Sequence, residues 1–226
     1  MKKPEQSGFT LPELIVMVVV VVFLALFLDS TVCGTSAIEQ AASSAMKNKG
    51  RGIWKAVLTA NAERELFGLP SVWPKDLGFD ASRTSTEYFR MLIQPETMCE
   101  NLKPGIFGGG GVPVADSVSS FSSANNAWNV ICVSTQTPNN ETNSLGVPFL
   151  ITRNVTMGRQ VNALSPLTFD KRSPFKKPPF RNQRCVYVTV DGGCFDRRKE
   201  YLSLPSGWSA VLEGMGTNTV YDVMFP

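Results

Sequence analysis

An unbroken run of apolar side chains from Leu14 to Leu28 limits this chain more than any other feature. Counted from Phe9, the stretch is interrupted only by Thr10, Pro12 and Glu13. About 20 helical residues span roughly 30 Å, the hydrocarbon thickness of a bilayer, so residues 9–28 are expected to form a membrane-spanning helix. Lys2 and Lys3 precede the run, and the next basic residue is Lys47. That asymmetry places the N-terminus in the cytoplasm and the rest of the chain outside.

Three kinds of N-terminal signal share this outline, and the flanks separate them. A secretory signal requires a small-residue cleavage site after the apolar stretch, and Asp29-Ser30-Thr31-Val32-Cys33-Gly34 is a poor one. A lipoprotein signal requires a small residue before its cysteine, whereas Val32 precedes Cys33. The third kind is cut before the apolar run. Ser7-Gly8-Phe9-Thr10-Leu11-Pro12-Glu13-Leu14 resembles the prepilin motif of the type IV pilin and type II secretion pseudopilin superfamily. The resemblance covers about the first 30 residues and is specific: Gly8 at the cut, Phe9 as the new N-terminus, Glu13 at the fifth mature position, then the apolar helix. Glu5 departs slightly from the family's basic leader. The resemblance implies cleavage between Gly8 and Phe9 by a prepilin peptidase, methylation of Phe9, and pairing of Glu13 with the free amine of a neighbouring subunit's first residue during assembly.

Glu13 also has a local explanation. Thr10-Leu11-Pro12-Glu13 fits a capping box, with Pro12 in the first turn and Phe9 and Leu14 placed as a hydrophobic staple. A carboxylate there favours the positive end of the helix dipole. On insertion scales a central carboxylate costs roughly 2.5–3.5 kcal/mol, while each Val, Leu, Ile or Phe returns about 0.3–0.6. Glu13 therefore needs the interface or a partner. Capping and assembly are compatible, and a cap alone requires no adjoining processing site.

Beyond Asp29 the composition turns to Ala, Ser, Glu and Lys with apolar residues at helical spacing. Ile38, Ala41, Ala42, Ala45 and Met46 form one stripe, continued by Ile53, Val57 and Ala60 after Gly50-Arg51-Gly52, where a kink can fall. Gly68 and Pro70 stop the pattern. One helix from about Thr10 to Phe67 is expected, some 85 Å long, whose outer half needs a sheet to bury its stripe. The expected organisation is a leader over 1–8, a long helix over 9–67 and a globular head over 68–226. The fold class is α+β, with the helix packed on an antiparallel sheet in pilin-like fashion.

In the head, Thr84-Ser85-Thr86-Glu87 is a second capping box, opening a short helix from about Thr86 to Ile93 before Pro95. Residues 105–123, with Gly108-Gly109-Gly110-Gly111 and many serines, read as a flexible loop, and no Gly-Lys-Ser/Thr follows to make it a phosphate loop. Trp128–Ser134 and Val147–Thr152 read as strands of one hairpin, Cys185–Val190 as the clearest strand, and Thr219–Phe225 as the last. A two-residue turn at Gly192-Gly193 would set Asp191 opposite Cys194 and leave Cys185 near residue 200. A Cys185–Cys194 bridge is thereby disfavoured.

The chain contains no histidine, which excludes Ser-His, Cys-His and His-rich metal chemistry. Five cysteines occur without a Cys-x-x-Cys pair, so no zinc site is expected. In an oxidising compartment Cys99, Cys132, Cys185 and Cys194 could form two disulfides, their connectivity open, with Cys33 left over near the membrane. Between Asp170 and Arg184, Lys171, Arg172, Lys176, Lys177, Arg181 and Arg184 alternate with Phe175, Phe180 and prolines. Nucleic-acid binding is the sharper reading of that segment. A solvated loop whose phenylalanines pack on the body is favoured, because no second basic patch is in register. Asn140-Glu141-Thr142 and Asn154-Val155-Thr156 match the glycosylation pattern, but a prepilin leader implies a bacterium-like cell and makes both coincidental. Some pseudopilins bind calcium through loop carboxylates. Asp191, Asp196 and Asp222 are available here without a matching loop motif.

The net charge of +3 argues for no particular partner. The sequence therefore leads to a filament subunit without catalytic residues, metal or cofactor. Its partners would be a prepilin peptidase, other pilin or pseudopilin subunits and the inner membrane, crossed once, with the head periplasmic or extracellular. The competing reading is a secreted or single-pass membrane-anchored binding module, which explains the apolar run but not Gly8, Phe9 and Glu13.

Overall fold

The computed structural model describes residues 11–97, 99, 102–135, 146–169, 180, 184–202 and 207–226, without the side chains of residues 11, 13, 14 and 22–36. Helix α1 (Leu11–Leu66) crosses the division between two compact units, Met1–Ala41 and Ala42–Pro226. In the first unit α1 leaves Ile15 to Val21 and Ile38 exposed. Among the described residues no helix is long and apolar enough to cross a membrane. The span expected over 9–28 takes in Phe9, Thr10 and the side chains of 22–28, which lie outside the described residues.

The second unit is α+β. Its strands are β1 (Trp128–Ile131), β2 (Pro148–Thr152), β3 (Val155–Thr156), β4 (Gln160–Val161), β5 (Thr168–Phe169), β6 (Arg184–Thr189), β7 (Cys194–Arg198) and β8 (Tyr221–Met224). Six of them form an antiparallel sheet in the order β4-β8-β1-β2-β6-β7, and β3 pairs with β5. The expected pairing of the two central strands is present, with Trp128 opposite Thr152 and Val130 opposite Leu150. Every residue of β1, β2 and β6 is buried, so these strands read as apolar runs instead of alternating.

Helix α1 covers the face carrying Trp128 and Val188. A Cβ on Gly50 would stand 2.6 Å from Val188 Cγ2 and 3.1 Å from the Trp128 ring. The glycines at which a kink could fall leave the helix continuous, and Gly50 lets backbone and sheet approach closely. The buried face of α1 is Ser43, Met46, Gly50, Ile53, Val57, Ala60 and Arg64. The expected stripe is thus corrected in its first half: Ile38, Ala41 and Ala45 are exposed, and Ser43 takes the inward position. Beyond the last turn, the Gly68 amide donates to the Glu65 carbonyl at 3.0 Å and that of Leu69 to the Arg64 carbonyl at 2.9 Å, which closes the helix where Gly68 and Pro70 indicated.

Helix α2 (Ser85–Leu92) forms at the second capping box. The Glu87 amide donates to Thr84 Oγ1 at 3.2 Å and the Thr84 amide to Glu87 Oε2 at 2.9 Å. Tyr88, Phe89 and Leu92 point into the core. Residues 105–123, expected as a flexible loop, are irregular, with Phe107, Val112, Ala115 and Phe121 buried and residues 116–120 exposed. Phe107 stacks on Phe89 at 4.3 Å and meets Phe121 at 5.1 Å, so three rings tie the glycine-rich segment into the core. Two short helices, α3 (Lys199–Leu202) and α4 (Ser209–Leu212), complete the unit.

Candidate functional site

The processing residues Gly8 and Phe9 lie outside the described residues. Glu13 sits in the first turns of α1, with its side chain likewise outside them. The best-defined polar site lies between α1 and the sheet within Ala42–Pro226.

Asp196 is at its centre. Ser43 Oγ of α1 donates to Asp196 Oδ2 at 2.5 Å, and Arg184 Nη1 of β6 donates to the same oxygen at 2.6 Å. The two charged side chains keep 5% and 15% of their surface, so the ion pair is largely withdrawn from water. Among the described residues Asp196 Oδ1 is buried without a hydrogen-bond partner. In β7, Asp196 alternates with Phe195 and Arg197 and faces α1, while Phe195 stacks on Tyr187 at 5.0 Å on the other side.

Nearly two turns further along α1, Lys49 reaches over the glycine-rich segment. Its ammonium donates to the Gly105 carbonyl at 2.9 Å and the Gly108 carbonyl at 2.8 Å, and burial pulls its pKa below the ordinary 10.5. Trp54 Nε1 donates to the Val190 carbonyl at 2.7 Å. Gly192, at φ +88°, lies against that ring; a Cβ there would be 2.7 Å from Trp54 Cη2. At the far end Arg64 Nε donates to the Pro70 carbonyl at 2.6 Å and its Nη1 to the Glu96 carbonyl at 3.0 Å. These groups fix the helix on the sheet in one register. They form no nucleophile–base pair, and among the described residues no group of His, Cys, Asp or Glu could hold a metal ion.

The four head cysteines, which could form two disulfides, are free thiols in the structure. Cys99 Sγ is turned to the Ala56 carbonyl at 3.9 Å. Burial raises the Cys99 thiol to about 11, and the Cys132 and Cys185 thiols to about 12 each. Cys194 is half-exposed, and its pKa is raised by burial and moderated by a hydrogen bond from Arg51. The β6–β7 turn is wider than two residues, so Val188 faces Cys194 and Cys185 faces Arg197 instead of a residue near 200. Three register steps separate the two cysteines, roughly 10 Å along the strands, beyond what a disulfide spans.

The other expectations divide by position. Arg184 belongs to the buried ion pair, and Phe180 is buried with its amide donating to the Gly110 carbonyl at 3.0 Å; most other residues of that basic segment lie outside the described residues, as does the 140–142 glycosylation pattern. Asn154 is buried and donates to the Arg184 carbonyl at 2.8 Å. Asp191, Asp196 and Asp222 serve three separate places: Asp191 accepts from Thr189 Oγ1, and Asp222 from Gln160 at 3.2 Å.

Sequence reasoning missed Ser43, Lys49 and Trp54, and met Asp196 only as one of three loop carboxylates. The signal available was a helical row of 43, 46, 50, 53, 57, 60 and 64, in which polar Ser43 and small Gly50 replace apolar residues. No family model, curated protein or solved structure matches this chain.

Proposed function

We propose that the chain is a structural subunit of a type IV pilus-like or type II secretion pseudopilus filament. It is inserted in the inner membrane with its N-terminus in the cytoplasm, cut between Gly8 and Phe9 by a prepilin peptidase, and methylated at Phe9. The observation that carries this reading is the Gly8-Phe9 junction with Glu13 standing directly ahead of the apolar run Leu14–Leu28. A carboxylate there is costly in lipid and useful if it meets the amine of a neighbouring subunit's Phe9. An apolar helix leaves the bilayer at low cost only when similar helices replace the lipid around it.

The head gives support of a coarser kind. It is α+β, and the residues of α1 from Ala42 to Leu66 bury one face on an antiparallel sheet. A pilin-like subunit requires that arrangement, although many other proteins share it. The protein is then the substrate of a peptidase and a building unit without chemistry of its own.

The test is the N-terminus of the full-length chain expressed with and without a prepilin peptidase. Mass spectrometry is expected to find a chain beginning at a methylated Phe9 only in the first case. A chain that keeps Met1 or begins after Cys33 under both conditions defeats the reading. Normal polymerisation of a Glu13→Ala variant removes the pairing role.

A further inference from the structure

β7 is the outer strand on one side of the sheet, paired among the described residues with β6 alone. Its register shows which backbone groups face outward. The Thr189 amide donates to the Gly193 carbonyl, and antiparallel pairs alternate, so Phe195 and Arg197 turn their backbone groups to β6. Cys194, Asp196 and Arg198 turn theirs away. On β6 the phase agrees: the Val190 and Val186 amides donate to the Val147 carbonyl and Thr152 Oγ1, toward β2. Cys194 to Arg197 are partly buried and Arg198 is exposed.

A row of positive charge runs beside this edge. Lys47, Arg51 and Lys55 follow one another at four-residue spacing on α1, so they share one face. Contacts hold this part of α1 beside β7 and the turn that precedes it: Ser43 on Asp196, the Arg51 guanidinium on the Cys194 thiol, and Trp54 on the Val190 carbonyl. Arg51 and Lys55 are exposed. Exposed Arg198 carries the charge to the end of the strand. Of the nearby carboxylates, Asp196 is committed to Arg184 and Ser43, and Asp191 to Thr189 and Gly193. Glu200, beside Lys199, is exposed.

We propose that the β7 edge and the Lys47–Arg51–Lys55 row together form a docking site for an extended acidic segment of a partner protein, which adds to the sheet as a further strand. Main-chain hydrogen bonds at Cys194, Asp196 and Arg198 supply the pairing, and carboxylates on alternate residues meet the basic row. A second copy of β7 does not fit, since it would bring Arg197 and Arg198 against the same positive charge with no free carboxylate of its own. A nucleic-acid backbone would suit the charges but offers only acceptors to an edge that presents both amides and carbonyls. The proposal is independent of the filament reading.

The test uses the full-length chain and fluorescent peptides of alternating Glu and Val or Ile. The controls are the same peptides with Gln for Glu, the same with alternate amides methylated, and a single-stranded oligonucleotide of equal charge. The acidic peptide is expected to bind, and R51E/R198E to weaken binding about tenfold or more, less so at high salt. R198P, which removes an outward amide while leaving the β6 ladder intact, is expected to bind more weakly than R198A. Backbone methylation of the peptide is expected to abolish binding and needs no altered protein, so it decides the matter if a variant fails to fold. No binding of the acidic peptide, equal binding of the Gln or methylated peptide, or tighter binding of the oligonucleotide overturns the proposal.

Discussion

Between Gly50 and Ala60, α1 meets the sheet through bare backbone, apolar side chains and the Trp54 indole on the Val190 carbonyl; between Ser43 and Lys49 it is held by a hydroxyl on the Arg184–Asp196 pair and an ammonium on two carbonyls. The first stretch excludes water over Ile53 and Val57, both fully buried, and this is where removal of apolar surface yields energy. The second stretch withdraws an ion pair from water, which returns little net stability, because desolvation offsets attraction. What the polar stretch does provide is a single permitted register, since Asp196 can accept from Ser43 at only one rotation and height of the helix.

The largest effect expected from breaking this division comes from Arg184→Ala. It strands the Asp196 carboxylate in a buried place and should cost about 3–5 kcal/mol in urea unfolding. The triple variant Ser43→Ala, Arg184→Met and Asp196→Leu, which removes the buried hydroxyl together with its acceptor, is expected near neutral in the same measurement, and a loss as large as that of Arg184→Ala would show that the pair contributes energy as well as register. Next is Gly50→Ala. Its Cβ meets Val188 at 2.6 Å, so overpacking of about 1–3 kcal/mol should exceed the gain of about 1 kcal/mol that alanine brings to a helix; a stabilised variant would mean that the apolar stretch is loosely packed.

Lys49→Met tests the polar clasp on the glycine-rich segment. Leaving the Gly105 and Gly108 carbonyls without their donor should cost about 1–3 kcal/mol and speed hydrogen exchange in residues 105–115 more than in β1. Uniform acceleration across the sheet would contradict a local role. The smallest effect concerns the thiols. Ordinary cysteines ionise near 9.0, whereas burial holds Cys99, Cys132 and Cys185 neutral to about 11, 12 and 12 in the fold. The unfolded chain therefore loses its protons first. Their contribution to stability is complete below pH 9 and falls as pH rises toward 11 and beyond. Alkylation mapped by mass spectrometry at pH 8 should mark Cys194 well before those three; equal labelling would place the buried thiols at the surface.

Much of the head was legible because local chemistry decided it. Thr84 and Glu87 cap α2 through groups three residues apart, and the β-branched runs at β1, β2 and β6 have no competing pattern. The helical stripe was misread at its start because Ile38, Ala41 and Ala45 are apolar but exposed, while Ser43 and Gly50 face inward. Burial there depends on what the sheet presents, Asp196 in one case and Trp128 in the other, and neither is near in sequence. The segment over 105–123 reads as open for the same reason: its glycines and serines are local, while Phe89, on which its Phe107 stacks, is not. Sequence likewise shows that cysteines exist without showing that the β6–β7 turn sets Cys185 against Arg197.

The burial of Asn154 has a practical consequence for anyone producing this protein. Its side chain retains 1% of its surface and is spent on the Arg184 carbonyl. A yeast or mammalian secretory pathway reads Asn-Val-Thr before the chain has closed, and a sugar attached at that moment would occupy the place where β6 must lie. Host choice alone would then separate a soluble head from an aggregated one, and Asn154→Gln would not rescue it without loss, since the longer amide must still find Arg184.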